Sequence, residues 1–136
     1  MTKSRIVILG GGFGGLFTAL DLVGSGQVTL VSEENHFLFK PMLYEYFSGE
    51  VEEWHIAPKY TELLDDSIQV IKGTVASIDL EGQEISLTEF KDGLRYDLLV
   101  MALGGITNYA GVKGAQEFAI PFRKIEHADL LRRRMK

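Results

Sequence analysis

Residues 6–20 read IVILGGGFGGLFTAL, and five of the six positions from 10 to 15 are glycine. Gly10, Gly12 and Gly15 form G-x-G-x-x-G, the spacing of a dinucleotide-binding turn. In that turn the first glycine permits a tight bend, the second lets a pyrophosphate approach bare backbone, and the third lets helix and strand pack closely. The chemistry is binding rather than bond-making. Amides at a helix start, with the helix dipole behind them, favour a diphosphate, and a side chain at position 12 would occupy the ligand's place. Ribose recognition in such a site asks for a carboxylate at the tip of the second strand. VTLV (28–31) is followed by Ser32, Glu33 and Glu34, and Glu33 is the candidate. The alternatives are a glycine-rich turn in an α/β domain that holds no ligand and, for the acids, two solvated carboxylates in a turn.

Other chemistries find little support. There is no cysteine, which removes disulfides, thiolate metal sites and thiol redox from this stretch. His36, His55 and His127 are scattered without ligand spacing and read as surface or packing residues. A net charge of −5 argues against a nucleic-acid partner. No run of 18 apolar residues marks a spanning helix, and no secretory signal opens the chain. With 136 residues, 46% hydrophobic and 24% charged, the chain suits one domain. Folding at this size buries about two-thirds of the unfolded surface.

The glycine turn needs a strand before it and a helix after it. IVIL (6–9) is continuously apolar, as in a strand buried on both faces. Leu16, Ala19, Leu20 and Val23 then mark one helical face, with Gly24 at the expected C-cap. VTLV supplies a second buried strand, so the first 32 residues predict a βαβ unit. NHFLFKPMLYEYFSGE (35–50) predicts a short helix from Pro41 to about Phe47, ended by Gly49. Pro58 suits the first turn of another helix, with Tyr60, Leu63 and Leu64 inward. IQVI (68–71) reads as a third strand. Ala76, Ile78 and Leu80 alternate, as do Ile85 and Leu87; with turns at Glu81-Gly82 and Asp92-Gly93 and a strand near Arg95, they predict an antiparallel meander. LLVMAL (98–103) reads as a central parallel strand, FAIPF (118–122) as a short strand, and Ile125, Ala128, Leu131 and Met135 as one face of a terminal helix. LLRRRMK places basic residues where they match a helix C-terminus.

Laid out this way, the chain resembles the N-terminal part of the type II NADH dehydrogenases, single-subunit flavoproteins with two dinucleotide-binding domains. ILGGGFGGL, FLFKPMLYE (37–45), IAPKYTELL (56–64), YDLLVMALGG (96–105) and GAQEFAIPFRKIEHADLLRRRM (114–135) all look like family segments in family order. The resemblance implies an α/β, Rossmann-like FAD-binding domain over residues 1–136, a parallel sheet with helices plus a three-stranded meander. It implies that Gly10, Gly12, Phe13, Gly14 and Gly15 hold the FAD pyrophosphate and that the strand near Val75 meets the adenine through its backbone. It places Lys40 and Pro41 near the flavin end, and Ala102, Leu103 and Gly104 in a segment close to FAD. Ser32 stands where the family would place its ribose acid, beside Glu33, and Leu103 where threonine is common. Phe37, Phe39 and Leu43 read as packing.

The implied activity is NADH:quinone oxidoreduction, hydride passing from NADH to flavin and electrons from flavin to a quinone. NADH would bind in a domain outside these residues, and the chain alone is expected to be inactive and to hold FAD more weakly. The resemblance also implies a cytoplasmic protein, peripheral to the membrane through a C-terminal part not contained here. A stand-alone regulatory module binding NAD or another adenine nucleotide is the alternative, and the meander, in place of a crossover helix, speaks against it.

Overall fold

A computed structural model describes residues 3–135. The elements are β1 (Arg5–Leu9), α1 (Phe13–Asp21), β2 (Gln27–Ser32), a 3-10 turn (Lys40–Met42), α2 (Leu43–Ser48), α3 (Glu53–Ile56), α4 (Tyr60–Leu63), β3 (Gln69–Lys72), β4 (Val75–Asp79), β5 (Glu84–Leu87), β6 (Leu94–Arg95), β7 (Leu98–Met101), α5 (Ala115–Phe118) and α6 (Ile125–Met135). Two compact units emerge. One holds the chain up to Phe37 together with Lys59–Gly104; the other holds Leu38–Pro58 and the chain from Gly105 onward.

The first unit is built on a parallel sheet in the order β3-β2-β1-β7 and an antiparallel sheet in the order β4-β5-β6. This is the Rossmann-like arrangement with a meander that the sequence pattern predicts. β1 is central and pairs in parallel with β2 and β7, Ile8 opposite both Leu30 and Val100. Because side chains alternate along a strand, β1 feeds two cores. Val7 and Leu9 join Val31 against Ile85, Leu87 and Tyr96 of the meander. Ile8 looks the other way, toward the position where a Cβ on Gly15 of α1 would stand.

Several expectations are corrected. α1 buries Gly15, Leu16 and Ala19, whereas Leu20 in its last turn is exposed; Val23 is exposed beyond the helix, which ends at Asp21, and Gly24 belongs to the turn there. In β4 the inward residues are Val75 and Ile78. A register shift between Val75 and Ser77 resets the alternation, leaving Ala76 and Leu80 outside. β7 is an edge strand among the described residues rather than a central one, with Leu98 and Met101 exposed. FAIPF forms no strand: its first residue ends α5 and the rest is irregular, in keeping with Pro121, which cannot donate to a ladder. Pro58 precedes α4 rather than entering it, and α3 was not foreseen.

In the second unit, Leu43 and Tyr46 of α2 pack with Ile56 of α3 and with Ile125 and Ala128 of α6. Met135, expected on the same face, is exposed in the last turn. The Tyr46 hydroxyl donates to Asp129 Oδ1 at 2.8 Å, and burial, more than this bond, pushes its pKa up to about 12. Arg132 Nε donates to the Phe47 carbonyl at 2.8 Å, its Nη2 bonds the Tyr46 carbonyl, and its Cζ lies 4.6 Å from the Tyr46 ring centroid. The basic tail thus does match a helix C-terminus, but for Arg132 it is that of α2. The histidines also have definite work. His55 Nδ1 accepts from the Glu52 amide at 3.0 Å, and His127 Nδ1 from the amides of Arg123 and Lys124, each at 3.2 Å, at the starts of α3 and α6. Among the described residues no helix is long and apolar enough to cross a membrane.

Arg5 and Asp97 tie the beginnings of β1 and β7. The Arg5 amide donates to Asp97 Oδ2 at 2.7 Å and its guanidinium to Oδ1 at 2.7 Å, and these bonds hold the Asp97 carboxyl at about 2. A carboxylate whose folded pKa is depressed stabilises the fold above its unfolded value, and that stability is lost as pH falls toward the folded value. Stability should therefore drop between about pH 4 and pH 2. Asp97→Asn should flatten this part of the profile in denaturant melts; an unchanged acid limb would show that the pair contributes nothing.

Candidate functional site

The glycine turn closes β1 onto α1, and each of its residues meets a different constraint. Gly10 has φ +100°, a conformation that side-chain-bearing residues rarely adopt, and a Cβ there would overlap the carbonyl oxygen of Ala102 just beyond β7. Its amide donates to the Val31 carbonyl at 2.8 Å and the Ala102 amide to the Leu9 carbonyl at 2.8 Å, so both neighbouring strand ends converge on the turn. A Cβ on Gly15 would overlap the Gly10 carbonyl. Gly12 is different: its φ of −74° suits any residue, and nothing lies within 4 Å of where its Cβ would stand. Two glycines are therefore demanded by the fold, and one is a bare backbone position facing open space.

Gly12 is the N-cap of α1 and makes no side-chain capping bond. The first backbone bond of the helix runs from the Leu16 amide to the Gly12 carbonyl at 2.9 Å, so the amides ahead of Leu16 precede the intrahelical ladder. No acidic side chain stands in the first turn. The mouth thus carries the partial positive charge of the helix start without a carboxylate of its own there. Phe13 flanks it with its ring edge-on to the buried Phe37, centroids 5.0 Å apart, and a Cβ on Gly14 would come only within ordinary contact range of the Ala102 methyl.

Behind the mouth lies a buried cluster that the sequence did not single out. The Tyr60 hydroxyl donates to the Gly11 carbonyl at 2.6 Å and lies 3.3 Å from Ser32 Oγ, which accepts from the Glu34 amide at 3.3 Å. Tyr60 is 2% exposed and Ser32 8%, and burial raises the Tyr60 pKa. A Cβ on Gly11 would overlap the Tyr60 hydroxyl, which explains the middle glycine of the GGG run. The helical spacing that turned Tyr60 inward was the available signal; its partner was not legible.

The other nominated residues fall as follows. Ser32 ends β2 and points into the cluster just described, while Glu33, next in the chain, is exposed. Ala102, Leu103 and Gly104 follow β7: Ala102 abuts the turn, Leu103 is exposed, and Gly104 has φ +73°. Val75 opens β4 and packs half-buried against the meander core. Lys40 and Pro41 form the exposed 3-10 turn of the second unit. Among the described residues no group of three or more His, Asp or Glu is placed to hold a metal ion.

Comparison with known proteins gives a consistent picture. A family model described as pyridine nucleotide-disulphide oxidoreductase matches residues 4–136. The alternative NAD(P)H-ubiquinone oxidoreductase C1, chloroplastic/mitochondrial, of Arabidopsis thaliana is 42% identical over 93% of this chain and 28% of its own length. The type II NADH:quinone oxidoreductase Ndh of Mycobacterium tuberculosis is 36% identical over 98% of this chain and 30% of its own. The NDH2 of Plasmodium falciparum, solved in complex with NADH, superposes with a TM-score of 0.84 at 27% identity, over 96% of this chain and 28% of that one. The chain thus spans less than a third of the length of these relatives.

Two substitutions separate a ligand-binding glycine from a structural one. Gly12→Ala should leave folding stability within about 1 kcal/mol of the unsubstituted chain, yet weaken nucleotide binding by an order of magnitude or more in titration. Gly15→Ala should cost about 3 kcal/mol, because backbone must move. Equal melting points for the two variants would contradict this division.

Proposed function

The chain belongs to the pyridine nucleotide-disulphide oxidoreductase family, and from that premise we propose that residues 1–136 are the FAD-binding portion of an NADH:quinone oxidoreductase. The observation that carries the reading is Gly12: open backbone at a helix start, in a turn whose other glycines are packed. That cradle fits a diphosphate, and a Cβ would stand where the ligand must. The Gly12, Phe13, Gly14 and Gly15 backbone would hold it, with Gly10 shaping the turn. Glu33, exposed at the end of β2, would accept the ribose hydroxyls. The Ala102–Gly104 segment and the backbone near Val75 would flank the nucleotide.

When bound, the flavin supplies the two-electron chemistry by which NADH would be oxidised and a quinone reduced. The share of this chain is to bind and orient. The helix start lends its partial positive charge to a diphosphate, and the packed glycines hold the shape of the turn. The printed names of the relatives, NAD(P)H-ubiquinone and NADH:quinone oxidoreductases, support NADH and quinone as the substrates. Only one G-x-G-x-x-G turn stands in this sequence, so NADH would be held by a domain outside it. Such an enzyme would work at a membrane surface.

Side-by-side titration with FAD and NAD tests the proposal. FAD should bind more tightly and take on a structured visible spectrum, and the chain alone should oxidise NADH at no more than a background rate. Preference for NAD over FAD would favour a regulatory nucleotide-binding module; steady NADH:quinone turnover by the 136 residues would overturn the division of labour.

A further inference from the structure

We propose that Tyr60 is a positioning residue for nucleotide binding, orienting the Gly11–Gly12 peptide from behind and committing Ser32, so that ribose recognition falls to Glu33. The proposal rests on the nucleotide reading above. It adds a residue, and a reason for the choice between two neighbouring candidates, that neither the glycine motif nor the family resemblance supplies.

The argument starts from the 2.6 Å bond between the Tyr60 hydroxyl and the Gly11 carbonyl. That carbonyl and the Gly12 N–H belong to one peptide unit, and no peptide bond among the described residues is cis. In a trans peptide the two groups point in opposite directions. Anchoring the carbonyl on Tyr60 therefore also sets the direction of the Gly12 amide, away from Tyr60. Glycines on both sides of the peptide would otherwise leave its plane loosely determined. The tether thus lessens the ordering that binding would require.

The same hydroxyl settles the role of Ser32. Tyr60 has one hydroxyl proton, and the Gly11 carbonyl takes it. The 3.3 Å contact with Ser32 Oγ then has Ser32 as its donor. Ser32 Oγ also accepts from the Glu34 amide at 3.3 Å. Its proton is spent on Tyr60, and at 8% exposure it presents almost no surface to a ligand. Glu33, one residue on, is exposed and carries the acceptor charge that ribose hydroxyls ask for.

The test measures dissociation constants of the whole chain for FAD, ADP and adenosine, with Tyr60→Phe and Ser32→Ala beside the unsubstituted protein. Tyr60→Phe should weaken FAD and ADP about tenfold, since both carry a diphosphate, and leave adenosine within about twofold. Ser32→Ala should leave all three within about twofold. Amide NMR of the ligand-free Tyr60→Phe chain should show Gly12 moved and the β1–β2 and β2–β3 ladders in place. The proposal is overturned if Tyr60→Phe binds FAD and ADP as tightly as the parent, if adenosine is lost in step with them, if the Gly12 amide does not move, or if the variant fails to fold. It is equally overturned if Ser32→Ala loses ribose-dependent affinity. If the unsubstituted chain binds neither FAD nor ADP, the nucleotide reading falls and this proposal with it; binding by the parent that Tyr60→Phe leaves untouched removes only the role of Tyr60.

Discussion

The first unit depends on a contact between backbones. The end of β1 and the start of α1 approach so closely that a single methyl on Gly15 would overlap the Gly10 carbonyl, and one on Gly10 would overlap the carbonyl beyond β7. Side chains would push these segments apart. Without them, strand, helix and neighbouring strand end meet at one point, and the helix start comes to stand over the C-terminal edge of the parallel sheet. That is the place where open α/β sheets bind ligands. The glycine run loses more conformational entropy on folding than other residues would, and the cores on both faces of β1 offset that loss.

From this constraint the rest of the site follows. β1 lies between β2 and β7, so the turn is flanked by two strand ends whose backbone bonds steady it. The meander covers one face of the sheet and α1 the other, which keeps the turn from relaxing into either core. Tyr60 comes from α4, far along the chain, and presents one hydroxyl to the back of the turn. The second unit has its own logic, a small helical core around Tyr46 in which Arg132 satisfies the last carbonyls of α2.

Much of this was legible in the sequence because local patterns and global fold agree there. IVIL and VTLV are buried strands where two-sided burial demands continuous apolar runs, and β5 of the meander shows its period of two. The failures have physical causes. LLVMAL has the composition of a central strand, but composition does not say whether a second neighbour pairs with it. FAIPF is an apolar run like a buried strand and is refused by its proline. Leu20 and Val23 lie at helical spacing, but the helix ends before its stripe is complete. At the site, the glycine spacing already separates Gly12, the open position, from Gly10 at the tight bend and Gly15 at the helix–strand contact; what it does not name is the side chain lying across the turn. Gly11 and Tyr60 were invisible as a pair because their contact spans 49 positions. Ser32 and Glu33 were one residue apart in an uncertain register, and only the inward turn of Ser32 distinguishes them.

The central claim is that the open face at Gly12 receives a diphosphate. Amide NMR of the chain titrated with FAD examines it position by position. The account predicts that the largest shifts fall on Gly12, Gly14 and Gly15, with the turn at Gly24 and Gly26 unmoved. Shifts concentrated elsewhere, or an undisturbed glycine turn at saturating FAD, would contradict it.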